Sequence, residues 1–251
     1  MSKFISIHSF RGGTGKSNTT ANIAALLANK GLKVGVVDSD IQSPGIHILF
    51  GIRGEDVKKS LNDYLWGHCT VAETAHDVTA QLGMGITGKV YLVPSSMDTN
   101  NIARVLREGY DISLMRDGLY DLAKELKLDV LLIDTHPGLN EETLLSIALS
   151  DFLLIIMRPD AQDYEGTAVT VSIAKRLQVP EINLVVNKVP PQYDMAHVKK
   201  QVQDTYDVNV AAIIPHSDDL MGLASQGIFA IQHPQHPITA LYQQIVDLIT
   251  T

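Results

Sequence analysis

Phe10-Arg11-Gly12-Gly13-Thr14-Gly15-Lys16-Ser17 is the stretch whose reading decides the fold of this 251-residue chain. It lies between a loosely alternating segment, Lys3 to Ser9, and a segment with helical apolar spacing, Lys16 to Lys30, that closes at Gly31. Glycines at 12, 13 and 15 let consecutive backbone N–H groups turn inward on an anion, and the helix that follows adds its positive N-terminal end. Lys16 can then reach terminal phosphates, and the Ser17 hydroxyl can ligate Mg²⁺. The ordinary phosphate-loop expression needs glycine at position 10, where the chain has Phe10. What it carries instead is basic-Gly-Gly-x-Gly-Lys-Ser, with Arg11 as the leading basic residue. A turn with no ligand is the competing reading, and the Lys-Ser pair and the flanking elements weigh against it.

Working outward, several continuous apolar runs end in polar residues, the pattern of parallel strands buried on both faces that deliver chemistry at their C-terminal ends. Leu32 to Val37 ends in Asp38-Ser39-Asp40, and Asp129 to Ile133 in Asp134-Thr135-His136-Pro137-Gly138. Phe152 to Met157 opens into Arg158-Pro159-Asp160, Ile182 to Val186 into Asn187-Lys188, and Val210 to Ile214 into Pro215. Helical spacing fills the intervals at Ser60 to Trp66, Asn100 to Glu108, Ile112 to Leu126, Glu141 to Leu149, Gln162 to Leu177, from Ser217 to Gly227, and Ile238 to Thr250, while Val71 to Ala80 is ambiguous. The pattern predicts an α/β fold: one doubly wound, mainly parallel sheet with helices on both faces, in a single domain over 1–251.

The strand ends offer what phosphoryl transfer to water requires, namely metal ligands and an acceptor beside the γ-phosphate. Asp134 closes its apolar run in the Walker B manner, to hold Mg²⁺ or its water. Asp38 and Asp40 fit the same edge, with a helix or turn cap as the competing reading. For His136 a structural or solvent-facing role is preferred to that of a base. Arg158 is read as a surface partner of a carboxylate such as Asp160. His233 and His236 are read as part of a proline-rich loop rather than as metal ligands.

These motifs, in this order, resemble the MinD/ParA family of P-loop ATPases, and the resemblance runs from Ile5 to Leu248. The loop is similar to that family's deviant Walker A, with Arg11 where the family has a signature lysine. The resemblance implies a nucleotide cradle of Gly12, Gly13, Thr14, Gly15, Lys16, Ser17 and Asn18. It implies Ser17, Asp38 and Asp134 around Mg²⁺, Asp40 orienting the attacking water, and Gly138 sensing the γ-phosphate. Asn187 and Pro215 are implied at the adenine. It further implies an ATP-binding, slowly hydrolysing switch that dimerises around ATP and positions a partner or cargo, with Lys16, Asp40 and Arg11 as its catalytic residues. The family's leading lysine reaches across the dimer; arginine keeps the charge and adds a bidentate fork, so the trans contact is favoured over one confined to its own subunit.

Composition narrows the surface such a switch uses. Net charge is −8, and from Gln201 to Thr251 there is no Lys or Arg. Nonspecific DNA binding needs a basic face, and a membrane-anchoring terminal helix needs cations flanking its apolar side. Both are disfavoured, a protein partner is favoured, and a cytoplasmic location is expected because no run is long enough to span a bilayer and no signal pattern is seen. Cys69 is the one cysteine, which argues against relatives that hold iron–sulfur clusters or zinc through paired cysteines. Two other classes stay open. One is a carboxylate-activating ligase of the dethiobiotin-synthetase or cobyrinate-amidase type; the other is a nucleotide-binding scaffold without useful hydrolysis.

Overall fold

The strands are β1 (Lys3–His8), β2 (Lys33–Asp38), β3 (His76–Asp77), β4 (Lys89–Val93), β5 (Val130–Asp134), β6 (Phe152–Met157), β7 (Glu181–Val189) and β8 (Asn209–Pro215). In the computed structural model, which describes residues 2–83 and 85–251, they form one eight-stranded sheet in the order β3-β4-β2-β5-β1-β6-β7-β8. Only the short β3 pairs antiparallel, with β4; the other pairings are parallel. This is the doubly wound, mainly parallel sheet expected from the apolar runs.

The central strands alternate between two cores, which is why their sequences read as continuous hydrophobic runs. Val34, Val36, Val130, Leu132, Phe152, Leu154 and Ile156 face one core, which they share with helices α1 (Lys16–Asn29) and, at the chain's end, residues 237–250. Val37, Leu131 and Ile133 face a second core, and Leu153, Ile155 and Met157 a third, on the opposite side of the sheet. Each fully buried aliphatic side chain contributes about 1.5–3 kcal/mol.

The remaining helices are α2 (Ile46–Leu49), α3 (Leu61–Leu65), α4 (Thr99–Glu108), α5 (Ile112–Glu125), α6 (Glu141–Leu149), α7 (Ala161–Arg176), α8 (Met195–Tyr206), α9 (Asp218–Gly222), α10 (Phe229–Gln232) and α11 (Pro237–Thr250). Their starts are set by local chemistry. Asp98, Asp111, Asn140, Asp160 and Asp194 accept hydrogen bonds from first-turn amides of α4, α5, α6, α7 and α8, each cap worth about 1 kcal/mol.

Several segments depart from the sequence reading, among them the short helices α2 and α10, which it did not predict. The helix expected from Ser217 to Gly227 stops at Gly222, and Ala224 and Ser225 then turn left-handed at φ 47° and 61°. Residues 71–80 resolve into two short 3₁₀ turns around β3. Helix α8 has no counterpart among the predicted helices: it buries only Val198, Val202 and Tyr206, a stripe too narrow to stand out among its polar neighbours. The terminal helix α11 packs as expected, burying Ile238, Tyr242, Ile245, Val246 and Ile249.

Candidate functional site

β1, β2, β5, β6, β7 and β8 release their polar ends at one edge of the sheet, and the glycine-rich loop leaves β1 at its centre. Gly13 and Gly15 have φ of 77° and 102°, left-handed values that favour glycine. Gly15 is the N-cap of α1, and Thr19 N–H makes the first helical bond, to Gly15 O. The amides before it lack intrahelical acceptors, which is the donor array an anion needs. Gly12 and Gly13 are exposed, Thr14 and Lys16 are buried, and Ser17 and Asn18 are intermediate.

Asp38 and Asp134 stand in register across β2 and β5, beneath Lys16. Both are buried, at 1% and 2% exposure. Burial, and then the charge of Asp134, hold the Asp38 carboxyl well above the usual range. Asp134 is pushed up to about 6, chiefly by burial, although Lys16 and the hydroxyls of Ser17 and Thr20 pull the other way. The Thr20 hydroxyl donates to Asp134 Oδ1 at 3.2 Å. Two buried carboxylates side by side, each held above its usual range by burial and by a neighbouring carboxylate, Asp134 for Asp38 and Asp40 for Asp134, with a serine hydroxyl beside one of them, fit a cation: Mg²⁺ takes one or two carboxylates and completes its shell with water and phosphate oxygens. Ser17, Asp38 and Asp134 are the residues that would hold it.

Asp40 hangs from the loop after β2. Its Oδ1 accepts from Ser43 N at 3.0 Å and faces His136 Nδ1 at 2.7 Å. His136 therefore touches a site residue, a contact that its sequence position alone did not reveal. Gly138, at φ 85°, donates its N–H to Ser9 O at 3.1 Å, which ties the second loop to the glycine-rich one. His8, at the end of β1, is fully buried beneath both; its Nδ1 meets Thr135 Oγ1 at 2.7 Å and its Nε2 has no partner among the described residues.

Asn187 and Pro215 join Gly15 and Asn18 in lining a cavity of about 160 Å³, walled by Leu220 and Met221 of α9 and by Tyr242. Asn187 is also a clamp: its Nδ2 donates to Thr14 O at 2.7 Å, while Lys188 Nζ donates to Gly13 O at 2.8 Å. Its amide retains one further donor and one further acceptor position, which fits a base edge in this cavity. Lys188, at φ 57°, was not foreseen; its adjacency to Asn187 was the available signal.

Arg11 sits half-exposed at the mouth of the loop. Its Nη1 lies 3.5 Å from Asp160 Oδ1 and 3.7 Å from Asp163 Oδ1 of the same chain. Arg158 shares those carboxylates, at 3.1 Å and 3.3 Å, the pairing with Asp160 that was read for it. Asp163, buried at 2% exposure, was not foreseen. His236 caps α11 and pairs with Asp219 at 3.3 Å, and no group of three or more His, Cys, Asp or Glu poised for a metal occurs among the described residues. No helix among them is long and apolar enough to cross a membrane.

A glycine-rich loop at the centre of a parallel sheet, with its lysine over two strand-end carboxylates, defines a P-loop nucleotide-binding protein. The chain belongs to the family described as the CobQ/CobB/MinD/ParA nucleotide binding domain, whose model matches residues 5–230. It is 28% identical over 242 residues to an uncharacterized ATP-binding protein of Methanocaldococcus jannaschii, covering 96% of this chain and 85% of that protein. It is 30% identical over 186 residues to an iron-sulfur cluster carrier protein of Methanococcus maripaludis, covering 73% of this chain and 59% of that protein. The fold is similar to that of the septum site-determining protein MinD complexed with Mg-ADP from Pyrococcus horikoshii, with TM-score 0.81, 22% identity, and coverage of 99% of this chain and 96% of that one.

Proposed function

We propose that this chain, as a single domain over 1–251, is an ATP-binding, slowly hydrolysing switch: two copies close over ATP, the closed dimer engages a protein partner, and hydrolysis ends the engagement. The observation that carries the reading is the convergence of Lys16, Asp38, Asp40 and Asp134 on one glycine-rich loop. The loop amides and Lys16 neutralise the phosphates, and the cavity beside Asn187 and Pro215 receives the base. Mg²⁺ would be held by Ser17, Asp38 and Asp134 and would supply positive charge against that developing on the phosphates. Asp40 orients water in line with the γ-phosphate, and little covalent work is asked of the protein. The Gly138 N–H, which the family resemblance gives to the γ-phosphate, donates here to Ser9 O, so it would sense a phosphate by exchanging that bond. Arg11 is the leading basic residue of a deviant Walker A loop; in this reading it exchanges its own-chain partners Asp160 and Asp163 for a second subunit's phosphates when the dimer closes.

Relatives support the same reading. A MinC:MinD cell division protein complex of Aquifex aeolicus has the same fold, with TM-score 0.81, which favours a protein partner here. Cluster carriage is not proposed, because Cys69 stands alone and burial raises its thiol pKa. The negative net charge and the Lys- and Arg-free stretch 201–251 rank bare DNA behind protein, and a cytoplasmic location is proposed with this reading. The test is the mass in solution of Asp40→Ala with ATP against ADP. A dimer trapped by ATP is expected, lost in Lys16→Ala, which binds nucleotide poorly, and lost when Arg11→Ala is added. Wild-type turnover by Asp40→Ala, with the protein monomeric in ATP, refutes the switch.

A further inference from the structure

The contact between Asp40 and His136 joins the two loops that flank the phosphate site. The loops are already pinned below it: Ser39 N and Ser39 Oγ both donate to Asp134 O at 3.0 Å. The imidazole is presented from a fixed base. Thr135 donates its N–H and its hydroxyl to Ile7 O at 3.3 Å and 3.1 Å, and its Oγ1 accepts from His8 Nδ1 at 2.7 Å. Pro137 follows and restricts the backbone of His136. Side-chain exposures of 24% for His136 and 15% for Asp40 shelter the bond from water.

An ionised carboxylate only accepts, so the proton of this bond belongs to His136 Nδ1. Oδ1 of Asp40 thus receives two donors, His136 Nδ1–H and Ser43 N–H, while no hydrogen bond among the described residues engages Oδ2. A carboxylate held through one oxygen has its other oxygen aimed. We propose that His136 is a positioning residue for hydrolysis: its Nδ1–H fixes Asp40 through Oδ1 so that Oδ2 faces the attacking water. No proton leaves His136 in this role. The inference rests on the reading that Asp40 orients that water, and it adds a side chain from the second loop to the machinery.

The test has a spectroscopic arm and a kinetic arm, both on the full chain. In the nucleotide-free protein at about pH 8, above the ordinary imidazole range, ¹⁵N spectra should show the His136 proton on Nδ1, and Asp40→Ala should move it to Nε2, since the partner sets the tautomer. With Mg²⁺ and ATP, His136→Ala should lower kcat by about tenfold or more, the effect of one lost hydrogen bond to a charged group. KM and the affinity for Mg-ADP should change by less than about twofold. His136→Asn, which places an N–H donor near the Nδ1 position, should recover most of kcat, and His136→Ala should add nothing in an Asp40→Ala background. A wild-type proton on Nε2, an unchanged kcat in His136→Ala, or an Asn variant no better than Ala overturns the inference. If His136→Ala does not fold, the wild-type tautomer decides. Loss of turnover in Asp40→Ala with none in His136→Ala defeats this inference alone, whereas wild-type turnover in Asp40→Ala defeats the reading of Asp40 as well.

Discussion

Replacing His8 with asparagine removes from the centre of the fold a group that must stay neutral there. His8 is 0% exposed. Burial first, then the nearby charges of Lys16 and His136, lower its pKa from 6.5 to about 3. Between those values the unfolded chain binds a proton that the native protein does not, so stability present above pH 6.5 is lost as pH falls toward 3. Each pH unit in that window costs about 1.4 kcal/mol, and the whole window about 5 kcal/mol. Asparagine can still donate to Thr135 Oγ1 through Nδ2 and does not titrate. It leaves part of the ring's volume unfilled, a cost that is the same at every pH. The difference in stability between wild type and His8→Asn should therefore shift in favour of the variant by about 2 kcal/mol on going from pH 7 to pH 5. Urea unfolding of both proteins at the two pH values, at fixed ionic strength and with slopes compared, measures that shift. A difference that stays constant within about 0.5 kcal/mol refutes the burial argument for His8.

Three further substitutions test the architecture of the site. Gly15→Ala brings a Cβ onto the Asn187 amide at a backbone φ of 102°; a loss of about 1–3 kcal/mol in stability is expected together with a collapse of nucleotide affinity, read by thermal melting and by titration with a fluorescent nucleotide. Asn187→Ala frees Thr14 O, and the same titration should show affinity weakened by about tenfold, with about 1 kcal/mol of stability lost. Gly88→Ala is the control away from the site: its Cβ would overlap Leu32 O and lie 2.7 Å from Ala28 O, both backbone atoms, so a melting shift equivalent to about 1–3 kcal/mol is expected while the affinity of the folded protein stays at the wild-type level.

Much of the fold was legible because its signals are local. The runs Asp129 to Ile133 and Phe152 to Met157 announce strands buried on both faces, and the structure has strands at Val130–Asp134 and Phe152–Met157. The caps Asp98, Asp111 and Asn140 were not read from the sequence, although the cap bond joins residues two or three positions apart; the helices they start were read from apolar spacing alone. Helix α8 escaped for the opposite reason, its stripe of Val198, Val202 and Tyr206 being one residue wide. The premature end of α9 escaped because the left-handed turn at Ala224 and Ser225 uses residues with no marked preference for it.

By itself the sequence determined the chemistry available at the sheet edge: a glycine-rich loop with Lys16 and Ser17, carboxylates at the ends of two strands, and an amide at the end of a third. These follow from spacing along the chain, and spacing is what a sequence displays. Only the tertiary structure decided which side chains those groups meet. Asp40 and His136 are 96 residues apart, and they touch because β2 and β5 are neighbours that place Asp38 opposite Asp134. Arg11 meets Asp160 and Asp163 because β1 and β6 are neighbours in the same sheet. Such contacts depend on strand order, which is fixed by how helices and strands bury their faces against one another and not by any residue at the contact.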